Sequence, residues 1–192
     1  MRRGTLVLLV FLLAHGVACA QETLAQGLRN QRFQAGLDFL AHRQFAAALN
    51  AFDDFLRVPA SVDTRNVEAG YYRAYCAITL FHSDGEKLLE RFVEEHPNHP
   101  RAILAYYDLA GFFYGEKAYG KAAGYFTKVN FSLLTQEQQN IGRFRWGYCL
   151  FSQRNFLPAL DQFNTVKSLG GQYGPASSYY AGFIETSLGD YD

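Results

Sequence analysis

The chain has 192 residues, of which 49% are hydrophobic and 16% are aromatic. This length supports one sizeable core or a short repeat array, and so many aromatic residues exclude a mainly disordered chain. Its 18 basic and 18 acidic residues balance to a formal net charge of zero. The basic residues do not cluster, which argues against a nucleic-acid-binding surface.

Residues 1–20 have the three parts of a secretory signal peptide. Arginines occupy positions 2 and 3, an apolar run of nine residues covers 6–14, and Ala-Cys-Ala at 18–20 is a small-residue cleavage site. The run is too short to cross a bilayer, which takes about 20 residues. We therefore expect the chain to be exported.

Lipidation of Cys19 is the alternative for this segment. It is less favoured, because Gly16 stands where a lipobox normally has leucine. Removal of residues 1–20 takes away Arg2 and Arg3 and leaves 16 basic against 18 acidic residues, a net charge of −2. The exported chain is therefore expected to be nearly neutral.

After a polar lead-in at residues 21–28, apolar residues at helical spacing predict pairs of helices separated by short polar breaks. The first pair breaks at residues 42–44, and Pro59 and Ser61 end it. The second pair is the most irregular, because its connector is short and no alanine marks its closest contact. Ser83 or Asp84 is the expected cap of its second helix.

The later pairs are more regular. Asn98 is the expected cap of the third pair, with Pro100 in the first turn, and the break follows at residues 115–117. The fourth pair breaks at residues 152–154, where Asn155 is a possible cap. A fifth unit begins after the Gly-rich stretch 170–175, and only its first helix is present before residue 192.

A repeat period near 36 residues connects these pairs. A small residue marks the middle of each first helix, and an aromatic, an alanine three residues later and another aromatic four further on recur in the second helices. The small residues are Gly36, Ala74, Ala110, Gly147 and Gly182, and the second-helix sets are Phe45, Ala48 and Phe52; Tyr119, Ala122 and Phe126; and Phe156, Ala159 and Phe163. A period of this length with helical pairs indicates a solenoid.

This pattern resembles the tetratricopeptide repeat (TPR) family, in three full units and part of another. The resemblance implies an all-α solenoid of antiparallel helix-turn-helix repeats that form a right-handed superhelix. The expected organisation is a signal peptide at 1–20, a lead-in at 21–28, repeats at 29–62, 66–100, 102–136 and 138–173, and the first helix of an incomplete repeat at 175–192.

The resemblance also implies a function. Exported TPR arrays are similar to bacterial envelope proteins, so the expected role is a non-catalytic scaffold that binds a peptide or protein in the periplasm or at the periplasmic face of the outer membrane. Association with that membrane is a further possibility. No catalytic motif, cofactor site or nucleic-acid site is expected. The alternatives are a structural spacer, forming the N-terminal part of a longer TPR protein, and a glycan- or peptide-binding accessory.

In TPR proteins the first helices line a concave groove. Carried over by position, the expected partner-binding residues lie three before, one after or four after each central small residue. They are Phe33, Leu37, Tyr71, Tyr75, Tyr107, Tyr114, Phe144, Tyr148, Phe151, Tyr179 and Phe183. The competing interpretation is that these side chains pack adjacent helices together.

Three other groups have plainer interpretations. Cys76 and Cys149 are expected to be buried free thiols, because they fall in different repeats. His96 and His99 suggest a solvated turn more than a metal site, since no further ligand lies nearby in the sequence. For the arginines at 143 and 145, surface salt bridges are favoured over a carboxylate clamp or stacking on aromatic rings.

Overall fold

The computed structural model describes residues 24, 26–58 and 63–189. The predicted signal peptide, Cys19, the first-hairpin end at Pro59 and Ser61, and the last three residues of the predicted fifth unit lie outside these residues. The described residues form α-helices and no strand. The elements are α1 (26–41), α2 (Phe45–Arg57), α3 (Arg65–Thr79), α4 (Gly85–Glu95), α5 (Pro100–Gly115), α6 (Tyr119–Phe126), a 3-10 turn (Phe131–Leu133), α7 (Gln136–Ser152), α8 (Phe156–Leu169) and α9 (Gly174–Gly189).

The all-α fold class predicted from the repeat pattern is confirmed. The chain divides into two compact units, one up to Cys76 and one from Ala77 onward. This boundary falls within α3, the first helix of the second pair. None of the helices described is long and apolar enough to cross a membrane.

The same turn joins the two helices of each pair. A non-glycine residue adopts a left-handed conformation seven positions after each central small residue: Arg43 (φ 57°), Phe81 (φ 61°), Lys117 (φ 59°) and Arg154 (φ 62°). Each is followed by an amide that donates back to the carbonyl five residues earlier, as Asn155 does to Leu150 at 2.9 Å. The second pair, expected to be the most irregular, therefore shares the turn geometry of the others.

The central glycines make room for aromatic rings. A Cβ atom at Gly36 would lie 2.7 Å from the ring of Phe52, and one at Gly147 would lie 2.9 Å from the ring of Phe163. The second pair uses the opposite arrangement, because a Cβ at Gly85 would lie 2.5 Å from the backbone of α3 at Ile78. The expectation that no alanine marks this contact is consistent with the structure, where a glycine, Gly85, lies there instead.

Three expected helix caps differ from the structure. His99, and not Asn98, precedes α5, and its Nδ1 accepts a hydrogen bond from the Arg101 amide at 3.2 Å. Asp84 and Asn155 stand at the cap positions of α4 and α8, but their side chains make no capping hydrogen bond.

Each unit has its own buried core. In the first unit, the rings of Phe33, Phe52 and Phe55 pack around Ala48. In the second, a cluster joins α8 to α9 through Phe163 and Ile184.

Both cysteines are free and buried, as predicted. Burial raises the pKa of the Cys76 and Cys149 thiols to about 12. Thiolate is the reactive form of cysteine, so these side chains act as apolar packing groups and not as nucleophiles.

Candidate functional site

The expected groove residues of the first unit are largely packing residues. Phe33 is only 7% exposed and contacts Phe52 and Phe55, at ring-centroid distances of 5.9 and 5.2 Å. Tyr71 is 5% exposed. These two assignments to a partner-binding surface are therefore corrected, because both rings lie within the unit. For Phe33 the cause is α2, which covers that face of α1.

Leu37 and Tyr75 keep part of their surface. Leu37 lies at the edge of the first core and is half-buried. The ring of Tyr75 is also half-buried and lies 6.2 Å from that of Phe45. They remain predicted contact residues.

In the second unit, five half-buried rings from three helices form a connected surface, called here the aromatic face. Tyr148 of α7 contacts Tyr114 of α5 at 5.9 Å and Tyr180 of α9 at 5.7 Å. Tyr180 in turn contacts Phe144 at 6.2 Å and Phe151 at 5.1 Å. The aromatic face thus consists of Tyr114, Phe144, Tyr148, Phe151 and Tyr180, and each ring retains exposed area.

Sequence reasoning named four of these five rings and missed Tyr180. That residue lies two positions before Gly182, so it falls outside the three rows that were carried over. Its ring stacks on Phe163 at 5.2 Å and reaches α7 as well. An aromatic directly beside Tyr179 was the available signal.

The remaining predicted residues of the second unit lie around this face. Tyr107 is half-buried and packs against Gly142, where a Cβ would lie 2.9 Å from its ring. Phe183 is half exposed and contacts Phe151 at 5.7 Å. Tyr179 is 69% exposed. The residues predicted to bind a partner therefore range from buried to largely exposed.

Arg145 places a positive charge beside the aromatic face. Its guanidinium lies 5.4 Å from the centre of the Tyr114 ring. Gly111 provides space for it, since a Cβ there would approach Arg145 Nη1 to 3.3 Å. Within the described part of the chain Arg145 makes no ion pair with an acid. Its hydrogen-bonding edge is therefore open to a ligand.

The tyrosines around Arg145 are neutral at physiological pH. Burial raises the pKa of Tyr114 to about 12, with a smaller opposing effect from Arg145. Burial likewise raises the pKa values of Tyr107 and Tyr180. The face therefore offers apolar rings, phenol donors and one guanidinium, a composition typical of protein interaction surfaces.

Arg143 has a structural role on the same helix. It donates to Gln162 Oε1 at 2.9 Å and lies 4.5 Å from the centre of the Phe131 ring. Phe131 stacks nearly parallel to Trp146 at 5.7 Å. The favoured expectation of surface salt bridges at Arg143 and Arg145 was wrong, because both guanidiniums lie on aromatic rings.

His96 and His99 lie in the turn between α4 and α5, as expected, where Pro97 and Asn98 are exposed, but their rings pack on Phe92. Both are half-buried, and their rings lie 5.3 and 5.7 Å from that of Phe92. No group of three or more His, Cys, Asp or Glu residues that could hold a metal occurs among the described residues.

A buried charge cluster in the first unit was missed by sequence reasoning. Arg29, 1% exposed, lies 3.9 Å from the centre of the Phe55 ring and donates to the carbonyl of Phe55 at 2.9 Å. It also donates to Asn66 Oδ1 at 2.6 Å and pairs with Asp63 at 3.3 Å. Arg29 therefore ties α1 to the end of α2 and the start of α3.

Asp63 is the carboxylate of this cluster. Arg65 donates to it from two nitrogens, at 2.9 and 2.7 Å. These hydrogen bonds, against an opposing effect of burial, lower its pKa to about 2. Local sequence pattern did not indicate this group, because Arg29 stands at the start of the expected first repeat and its partners Asp63 and Asn66 are distant in sequence.

A second polar network joins α4 to α6. The Tyr125 hydroxyl donates to Glu86 and to Glu90, the latter at 3.0 Å, and Lys121 pairs with Glu86 at 2.6 Å. Burial opposes ionisation of Glu86, but hydrogen bonds from Lys121 and Tyr125 outweigh it and lower its pKa. Because these partners satisfy one another, the network is a packing contact.

A cleft of about 370 Å³ lies between the start of α7 and the loop before α9. Its walls include Gln136, Asn140, Leu169 and Tyr173. Gln136 Nε2 donates to the Leu169 carbonyl at 3.0 Å across it. The lining combines side-chain amides with the Glu137 carboxyl, the Tyr173 phenol and the apolar side chains of Ile141 and Leu169.

Comparison with known proteins supports the fold assignment. No family model matches the chain, and a search of curated protein sequences gives no match. Among solved structures, MamA from AMB-1 aligns with a TM-score of 0.60 at 18% identity, over 84% of this chain and 82% of the other.

Two further structures agree. MamA from MSR-1 aligns with a TM-score of 0.56 at 18% identity, over 84% of this chain and 87% of the other. PilF of Pseudomonas aeruginosa aligns with a TM-score of 0.59 at 16% identity, over 87% of this chain and 72% of the other.

MamA and PilF are TPR-repeat proteins. At these identities the likeness concerns the fold, and the chain has the all-α solenoid fold of TPR proteins.

Proposed function

We propose that the protein is a non-catalytic scaffold that binds an extended protein segment on the aromatic face. The segment contributes apolar or aromatic side chains that lie between the rings and a carboxylate that pairs with Arg145. The observation that carries this proposal is the guanidinium of Arg145, which lies over Tyr114 and has no acidic partner in the described part of the chain.

Two contributions favour binding at this face, the apolar contact area of the rings and the positive charge of Arg145. Half-buried rings are held by neighbouring rings, so a ligand gains contact area while few side-chain rotamers are lost. A guanidinium that is partly desolvated by rings pairs with a carboxylate in a bidentate, charge-assisted geometry. The rings thus provide affinity and Arg145 fixes the register of the segment.

The ring geometry favours a peptide over a glycan. A flat sugar stacks best on coplanar exposed rings, but the near-parallel pairs of this unit are built with buried partners, as in Phe131–Trp146 and Phe113–Tyr125. The rings of the aromatic face meet mostly at steep angles, such as 76° between Tyr114 and Tyr148. Such edge-to-face rings form pockets suited to side chains.

The site of action proposed for this scaffold is outside the cytoplasm. The support is the signal-peptide pattern at residues 1–20, with its paired arginines, apolar run and Ala-Cys-Ala site. Expression of the whole sequence in a Gram-negative host, followed by fractionation, should yield a shortened chain in the periplasmic or outer-membrane fraction. Retention of the full-length chain in the cytoplasm would contradict export.

Selection from a peptide library tests the binding proposal. The purified chain should enrich peptides that combine aromatic residues with an acidic residue or a free C-terminus. Arg145→Gln should weaken the binding of these peptides about 10- to 100-fold, since a hydrogen bond to a charged group contributes about 1.5–3 kcal/mol. Fluorescence anisotropy with a labelled selected peptide measures the change.

Arg154→Gln is the matched control, because that arginine is exposed in the turn between α7 and α8 and, within the described part of the chain, no cation–π contact joins it to a ring of the aromatic face. It should leave the dissociation constant unchanged. The proposal fails if no peptide is enriched, or if the Arg145 and Arg154 variants bind the selected peptides equally well.

A further inference from the structure

The cleft at the start of α7 adjoins the aromatic face. Tyr173, in the loop before α9, lines the cleft, and its ring contacts that of Phe144 at 4.9 Å. On α7 the cleft residue Ile141 lies one helical turn before Arg145. A segment that binds the aromatic face therefore reaches the cleft when it continues past Phe144.

The cleft contains a buried acceptor without a partner. Asn140 is 8% exposed, and its side-chain oxygen accepts no hydrogen bond from the described residues. The loop approaches this amide at Gly171, which adopts a left-handed conformation (φ 87°) and where a Cβ would lie 3.1 Å from Asn140 Nδ2. An unsatisfied buried oxygen is unfavourable, so a hydrogen-bond donor that enters the cleft gains a partner there.

The lining of the cleft is negatively charged. Glu137 is the one charged side chain among the lining residues, and the others include the Tyr173 phenol. Glu137 is exposed and makes no ion pair within the described part of the chain. A carboxylate, an amide oxygen and an aromatic ring together suit a cation that carries N–H donors.

We infer that the cleft receives a basic side chain, a lysine or an arginine, of the segment that binds the aromatic face. Its cationic group pairs with Glu137 and donates to the Asn140 oxygen, and its aliphatic stem lies against Ile141 and Leu169. This inference rests on the function proposed above and adds a second charge to the segment, opposite in sign to the carboxylate that pairs with Arg145.

The spacing of the two protein charges defines the segment further. Glu137 and Arg145 stand eight residues apart on α7, which is about 12 Å along the helix axis. An extended chain covers that distance in about four residues. The segment should therefore carry an acidic and a basic residue about four positions apart, with apolar or aromatic residues between them.

The two charges also act on one side chain of a neighbouring helix, Tyr107 of α5. Burial has the largest effect and raises the pKa of this phenol, Arg145 lowers it, and Asp108, Tyr173 and Glu137 raise it. Glu137 and Arg145 are therefore close enough to the same ring for one bound segment to meet both.

Selection from a peptide library with the whole chain tests this inference. Peptides enriched by the wild-type chain should carry lysine or arginine about four positions from their acidic residue. Glu137→Lys should still select the acidic residue that Arg145 binds but no longer the basic one, because like charges would then meet. Glu116→Lys is the matched control, since Glu116 is exposed in the turn after α5 and is not among the lining residues. It should select the same peptides as the wild type.

Titration of one selected peptide, synthesised with an acetylated N-terminus, measures the contribution of the basic residue. Norleucine in its place keeps an aliphatic stem and removes the charge, and it should weaken binding to the wild type about three- to tenfold. The same replacement should change binding to Glu137→Gln by less than about twofold. Asn140→Leu, which removes the unpartnered oxygen and keeps the side-chain size, should also reduce the loss.

The outcomes separate this inference from the function on which it rests. If the enriched peptides depend on Arg145 but carry no basic residue, the inference is overturned and the proposed function stands. The same holds if norleucine weakens binding to the wild type, Glu137→Gln and Asn140→Leu equally. If no peptide is enriched, both are overturned.

Discussion

Two helices with the same pattern, α7 and α9, differ in what covers them. Each has a central glycine, an aromatic residue three positions before it and another one position after it. In α7 the ring of Phe163 fills the space at Gly147, and Phe144 contacts that ring at 5.9 Å. In α9 the space at Gly182 is open and Tyr179 is 69% exposed.

The difference shows that position in a repeat does not determine the role of an aromatic residue. The same residue type at the same position packs a hairpin where a second helix lies against it and forms surface where none does. Covered rings contribute to stability, and uncovered rings are available for binding. Substitutions around Gly147 and around Gly182 should therefore differ in their effect on the free energy of unfolding.

The largest expected difference concerns the rings. Phe163→Ala removes a fully buried ring from the α8–α9 core and should lower the free energy of unfolding by about 3–5 kcal/mol. Tyr179→Ala removes an exposed ring and should change it by less than about 0.5 kcal/mol. Urea denaturation followed by circular dichroism measures both, and equal losses would show that α9 is covered.

The two glycines give a smaller and opposite pair of effects. Gly147→Ala places a methyl group 2.9 Å from a buried ring, and the resulting overpacking should cost about 1–3 kcal/mol. Gly182→Ala meets open space and should stabilise the chain by up to about 1 kcal/mol, because alanine has the higher helix propensity. If Gly182→Ala destabilises the chain in the same denaturation assay, the space beside Gly182 is not open.

The first hairpin adds a contribution that depends on pH. Its helix α1 is held by the ion pair of Arg29 with Asp63 as well as by packing on aromatic rings. The pKa of Asp63 is lowered to about 2 from its ordinary value of 3.8. Stabilisation by the charged form is thus complete above about pH 4 and is lost as the pH falls through 2. The first unit should lose about 1–2 kcal/mol of stability over that range.

Substitution isolates this contribution. Asp63→Asn should remove about 1–2 kcal/mol of the acid dependence of unfolding, measured as urea midpoints between pH 2 and 6. Asp54→Asn is the control, since Asp54 pairs with Arg57 where both side chains are exposed and such pairs contribute little. Equal changes from the two variants would mean that Asp63 has no special role.

Sequence reasoning predicted the helical pairs and the polar breaks because both depend on local pattern. Apolar spacing defines the helix faces, and the small residues Gly36 and Gly147 marked where a ring packs. It did not predict Arg29 as a buried anchor, because that arginine is stabilised by the carbonyl groups of α2 and by Asp63 and Asn66, which are distant in sequence.

The candidate site was predicted only in part for a related reason. Tyr114, Phe144, Tyr148 and Phe151 were named, but Phe33 and Tyr71 were included with them although they are buried. Exposure depends on the neighbouring helix, which a periodic pattern does not describe. Arg145 was considered as a clamp, but only the structure shows its position over Tyr114 and beside Gly111.

The central claim is that the aromatic face binds a protein segment. Site-specific photocrosslinking tests it most directly, with benzoylphenylalanine placed at Tyr148 or, as a control, at the exposed Leu157 of α8, and with a peptide chosen by the library selection. The account predicts that the peptide crosslinks from position 148 and not from position 157. Crosslinking from position 157 alone, or equally from both positions, would contradict it.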